Sequence, residues 1–138
     1  MATRGRVGLE LSDGSIISIY SHWDNYPEWA GRILRTHYNT REKVEALVDG
    51  GDVSCLWTDD GFYTSEGKTQ RGYYGPLHYS QRGETCPPRL DENLSEYLRI
   101  STSEEYHYLF TKSGEWVCYD MHGDQPKIIE IPNGALMV

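Results

Sequence analysis

The chain has 138 residues and a formal net charge of −8, a size that suits one domain built on a single core. The acid excess disfavours sequence-independent nucleic acid binding and adsorption to anionic membranes, and no apolar run approaches the roughly 20 residues of a membrane span. Its aromatic content is skewed to 11 Tyr and 4 Trp against 2 Phe, so much of the large apolar surface carries a hydroxyl or indole N–H that wants a partner, as on strand edges and binding surfaces.

Residues 4–11 and 16–20 flank Asp13-Gly14, and a two-residue turn at that dipeptide predicts a hairpin. Such a turn pairs Leu9 with Ser18, Val7 with Tyr20 and Arg6 with Ser21, which would set Arg6 beside His22 and Asp24 at the open end. The polar residues 21–25 stop the second strand. Pro27 then starts a helix expected to end near Tyr38, with Asp24 or Asn25 close enough to cap it. Glu28 stands four residues before Arg32, the favourable order for a helical ion pair, and Arg32 and Arg35 share one flank.

A second helix is predicted after Asn39-Thr40-Arg41-Glu42, which resembles a capping box, with Val44, Leu47 and Val48 as its buried stripe and Gly50-Gly51 as its end. Residues 53–57 suit a short strand, and the glycine-rich residues 58–76 a surface loop. A strand at 77–81, a turn at 82–84 and a short helix capped by Asp91 follow. Residues 105–112 and 115–121 make a second hairpin about Ser113-Gly114, pairing Phe110 with Val117 and Tyr108 with Tyr119, and residues 128–131 can add a strand. The expected architecture is α+β: a mainly antiparallel sheet built from hairpins, with two or three short helices, in a single domain spanning 1–138. A sheet of this kind leaves an open strand edge, so a homodimer is expected.

Cys55, Cys86 and Cys118 are odd in number and widely spaced, and the N-terminus lacks the apolar core of a signal peptide. Three reduced thiols in a cytosolic protein are therefore expected. The five histidines show no ligand spacing, so no metal is expected, and no cofactor motif is present. His22 and Asp24 could be a general base and its orienter, although no nucleophile is marked beside them and both also suit a turn. Residues 1–45 hold six basic and six acidic residues, which leaves all the excess acid downstream. Within this neutral third, Arg4, Arg6, Arg32 and Arg35 lie near Trp23 and Tyr26. Guanidinium groups fork onto phosphate oxygens and aromatic faces stack on bases; the alternative is an ion-pair network with Glu10, Asp24 and Glu28.

Arg-Gly-Arg-Val-Gly at 4–8, Asp-Gly-Ser-Ile at 13–16, Ile-Tyr-Ser-His-Trp-Asp-Asn-Tyr-Pro at 19–27 and Gly-Asp-Val-Ser at 51–54 together resemble a family of small tailed-phage accessory proteins of the cyanophage type. Relatives carry Cys and Gly where this chain has Ser21 and Asn25, which argues against a thiol nucleophile here. The resemblance implies expression in the cytoplasm of an infected bacterial host and supplies no catalytic residue. The resulting reading is a non-enzymatic phage accessory protein that binds a small phosphate-bearing ligand through Arg4, Arg6, His22, Trp23, Asp24, Tyr26, Arg32 and Arg35, with sequestration of a host immune nucleotide signal as its use by analogy. Two alternatives stand beside it: an inhibitor that binds a host protein through its acidic C-terminal surface, and a hydrolase using His22 and Asp24.

Overall fold

The structure is a computed structural model that describes residues 3–56, 77–99 and 104–132; the loop expected at 58–76 lies outside them. β1 (Gly5–Glu10) and β2 (Ile16–Trp23) form the first hairpin. A π-helical turn, Pro27–Gly31, runs into α1 (Arg32–His37), and α2 (Arg41–Asp49) follows. Next come β3 (Val53–Cys55), β4 (Leu77–His78), β5 (Arg89–Asp91) and α3 (Leu94–Tyr97). β6 (Tyr106–Phe110), β7 (Trp116–Asp120) and β8 (Lys127–Ile129) complete the sheet. Its order is β4-β3-β2-β1-β6-β7-β8, with β5 also paired to β2.

The fold is α+β, but the sheet is mixed rather than mainly antiparallel, because β1 runs parallel to β6 and β2 parallel to β3. The two hairpins join through their first strands, and that pairing links residues about a hundred positions apart, beyond the reach of turn chemistry.

Both hairpins exist, each one residue out of the expected register. Leu11 N–H donates to Ser15 O and Gly14 N–H to Leu11 O, so Ser12, Asp13 and Gly14 make a three-residue loop. Thr111 N–H to Glu115 O and Gly114 N–H to Thr111 O repeat the pattern. A two-residue type I′ turn needs positive φ at both central residues. Here only the glycines adopt it, Gly14 at 89° and Gly114 at 86°, which matches a type I turn closed by a left-handed glycine. Val7 therefore pairs with Ile19 and Leu9 with Ile17, and Tyr108 pairs with Cys118. A slip of one residue exchanges faces, and this register puts Val7, Leu9, Ile17 and Ile19 on one face, with Ile16 on the other.

One face of the sheet packs Val7, Leu9, Ile19, Tyr108 and Phe110 against Ile33 and Leu34 of α1 and Val44, Leu47 and Val48 of α2. Thr40, not Asn39, caps α2, its Oγ1 accepting from Lys43 N–H. The other face is covered by α3, which Asn93 rather than Asp91 caps. Tyr97 lies over β1 at Gly8, where a Cβ would come within 2.8 Å of its ring, and the Tyr97 hydroxyl donates to Tyr108 O at 2.6 Å. Ile16, Leu109, Tyr119 and Met121 complete this smaller core. All three cysteines are free, and no helix among the described residues is long and apolar enough to cross a membrane.

Candidate functional site

The expected cluster divides between the two faces of the sheet and its end. Arg6 opposes Tyr20 instead of Ser21, and its side chain turns away from Asp24 into the smaller core. There Nε donates to Ser18 Oγ at 2.9 Å and Nη1 to Glu104 Oε1 at 3.1 Å. Arg35 is also engaged: its guanidinium donates to the carbonyl oxygens of Ile131 and Pro132, tying the segment that follows β8 to α1. Arg32 makes no ion pair with Glu28, because the π-helical turn Pro27–Gly31 widens the spiral and takes the i, i+4 pair out of line. Its Nε is buried without a partner. Arg4 is exposed, and its charge acts on the Tyr20 phenol.

The turn carrying His22, Trp23, Asp24 and Tyr26 is organised by Asn25, which is fully buried. Its Nδ2 donates to Ser21 O and Thr3 O at 2.9 Å and to Trp23 O at 3.1 Å, while its backbone N–H donates to Thr3 O at 3.0 Å. Its own carbonyl accepts from the Tyr108 hydroxyl at 2.7 Å. Asp24 bends the chain with φ at 57°, a conformation Asp tolerates better than most residues. The helix start carries no side-chain cap; Tyr26 occupies that position and Pro27 follows. The consequence is a fixed backbone with its rings outside: Trp23 is 45 % and Tyr26 37 % exposed.

His22 is half-buried beside them. Its ring meets Trp23 edge-on, with centroids 4.7 Å apart and planes at 88°, and its Nδ1 lies 2.7 Å from the Tyr20 hydroxyl. Asp24 is not its partner, so the base-and-orienter pair a hydrolase needs is not formed. Nor does Cys118 offer a thiolate, since burial pushes its pKa up to about 12.

A second cluster escapes a local reading of the chain. Under α3, Arg6, Ser18, Asp91, Glu104 and His107 are all buried. Asp91 accepts from Arg89 Nε at 2.9 Å and from Arg99 Nη1 at 3.2 Å. His107 meets Tyr97 in a tilted contact, with centroids 4.9 Å apart and planes at 48°, and neither ring nitrogen has a hydrogen bond of normal geometry among the described residues. Burial drives its pKa well below the usual histidine value, with Arg6 and Arg89 acting the same way and Glu104 against it, so the ring is neutral. These residues come from β1, β2, β5 and β6 and the approach to β6. The one local signal was the period-2 pattern that sets Ser18, Tyr20 and His22 on one side of β2.

His122 behaves oppositely. At the surface it bridges Glu105 Oε1 at 3.1 Å and Asp120 Oδ1 at 2.7 Å, and these hydrogen bonds raise its pKa. A raised histidine stabilises the fold below its unfolded pKa and loses that contribution as pH rises through its folded value. A depressed one, such as His107 or the desolvated His78, stabilises above its unfolded pKa and loses that as pH falls. His122 is largely solvent-screened, so the buried rings dominate and stability is expected to fall from neutral pH to about pH 5. Urea unfolding across that range checks the sign: His107→Phe should flatten the slope and His122→Gln should steepen it. A slope unchanged in His107→Phe would mean that this ring is not held neutral by burial.

Two surface concavities are lined by other described residues. One of about 710 Å³ is lined by Leu11, Ser12, Asp13, Arg41 and Lys112, and one of about 370 Å³ runs from Gly50 and Gly51 to Cys86 and Pro87. Neither contains an aromatic residue. No family model, curated protein or solved structure matches the chain.

Proposed function

We propose that this is a non-enzymatic phage accessory protein that binds a small phosphate-bearing ligand of the nucleotide class on the platform of His22, Trp23, Asp24 and Tyr26. The observation that carries the reading is the contrast between the buried Asn25 and the water-exposed Trp23 and Tyr26 on either side of it. Folding fixes their backbone yet leaves their rings partly exposed, which suits stacking on a base. Arg4 supplies an exposed guanidinium with no carboxylate partner among the described residues, Arg32 is a second cation on the helix that the turn feeds, and Asp24 can accept from a ribose hydroxyl. Arg6 and Arg35 are structural in this reading. Sequestering a host immune nucleotide signal in the infected cytoplasm, as a homodimer, is the use that fits a binder without catalytic machinery.

Isothermal titration with 5′-AMP tests the site. Trp23→Ala should remove a stacking contact worth about 1–3 kcal/mol, or about 5- to 150-fold in affinity. Arg4→Ala should remove a charge-assisted bond of about 1.5–3 kcal/mol, with both variants unfolding as the wild type does. Wild-type affinity in both variants would overturn the reading. A second reading, an inhibitor of a host protein, is favoured by the exposure of Trp23 and Tyr26, since aromatic side chains also anchor protein interfaces. In that case the two variants would lose a host protein in pull-downs from infected cells.

A further inference from the structure

Tyr20 and His22 are two residues apart on β2, so both side chains leave the same side of the sheet. The 2.7 Å separation between the Tyr20 hydroxyl and His22 Nδ1 is typical of an O–H donor and short for an N–H donor. Chemistry points the same way, because a phenol is the better donor of this pair and a neutral imidazole nitrogen the better acceptor. Partial burial raises the Tyr20 pKa, so the phenol keeps its proton at neutral pH.

We propose that Tyr20 is a positioning residue of the platform: it donates to His22 Nδ1, holds the ring proton on Nε2, and presents that N–H to a ligand as a donor matched to a phosphate oxygen. The identity of the ligand rests on the nucleotide reading above; the Tyr20–His22 pair does not. The described hydrogen bond of the ring is made at Nδ1, and none among the described residues is made at Nε2 of this half-buried ring. The edge-on contact with Trp23 sets it beside the stacking surface. A ligand with a flat ring on Trp23 and an acceptor oxygen next to it satisfies both groups, whereas one presenting an ammonium there meets donor against donor. The hydrogen bond at one imidazole nitrogen decides which nitrogen carries the proton, so specificity at this platform is set one residue removed from the ligand.

Two measurements on the full chain test this. In long-range ¹H–¹⁵N spectra of the unliganded protein at mildly alkaline pH, His22 should carry its proton on Nε2 with a hydrogen-bonded Nδ1. In Tyr20→Phe the Nδ1 resonance should move to that of a free imidazole nitrogen. A proton on Nδ1 in the wild type overturns the proposal. In titrations with 5′-AMP, Tyr20→Phe should weaken binding about 2- to 10-fold, the range of one neutral hydrogen bond, and should have no further effect in a His22→Ala background. An equal loss in that background would make Tyr20 a merely structural residue and also overturn the proposal. Absence of 5′-AMP binding to a wild type that shows the Nε2 proton would overturn the nucleotide reading and leave the pair standing.

Discussion

Replacing Arg6 by alanine is expected to remove about 3–5 kcal/mol of stability, the range for breaking a buried ion pair from one side. The Arg6 and Glu104 side chains are 9 % and 6 % exposed and meet at 3.1 Å. Without the guanidinium, the Glu104 carboxylate stays in the small core beside the neutral His107, and Ser18 loses its donor. A surface pair, by comparison, is worth about 0–1 kcal/mol, so urea unfolding separates the two cases cleanly. The double variant Arg6→Met with Glu104→Leu should recover most of the loss, because apolar replacement of both partners removes the desolvation cost along with the attraction. A loss below about 1 kcal/mol in Arg6→Ala would mean that water reaches the pair. The same result bears on function: activity lost in Arg6→Ala is expected to follow the unfolded fraction, unlike activity lost in Trp23→Ala.

Asn25→Ala is expected to cost about 1–3 kcal/mol, since it takes the side-chain donor from the carbonyls of Ser21 and Trp23, while Thr3 O keeps the backbone N–H of residue 25. Asn25→Asp should cost more. It has the same shape but sets a carboxylate oxygen against carbonyl oxygens, and a buried charge without a partner is far more costly than a missing hydrogen bond. Thermal unfolding of both variants gives the ranking, and a ranking of Asp above Ala in stability would refute this account of the turn. Because Asn25 ties the turn to Thr3 and, through its carbonyl, to Tyr108 on β6, both variants should also loosen the platform. Any 5′-AMP affinity is then expected to fall at temperatures where the folded population is still complete.

Local chemistry in the chain determined where the turns, helix starts and strands would be. Asp13-Gly14 and Ser113-Gly114 are hairpin turns, Pro27 begins a helical segment, and Gly50 ends α2. Each depends on backbone preferences of a few adjacent residues, which a single sequence carries in full. The length of the two hairpin loops was not legible in the same way. Asp-Gly and Ser-Gly fit both a two-residue and a three-residue loop, and the choice was made by packing: the three-residue loop puts Val7, Leu9, Ile17 and Ile19 on the face that α1 and α2 cover.

Of the candidate site, the placement of Trp23 and Tyr26 on either side of a polar turn was readable because they are near neighbours in sequence, whereas their exposure is set by the fold. The role of the arginines was not readable. Arg6 meets Glu104 across 98 positions, and Arg35 meets Ile131 across 96, and no periodicity records contacts of that range. Only the tertiary structure decided the parallel β1–β6 pairing, which brings Arg6 beside His107 and supplies the layer in which it is buried. The physical reason is that a guanidinium is drawn equally to phosphate, carboxylate or backbone carbonyl. Its residue type states that it needs an acceptor, while the fold alone determines which acceptor comes within reach.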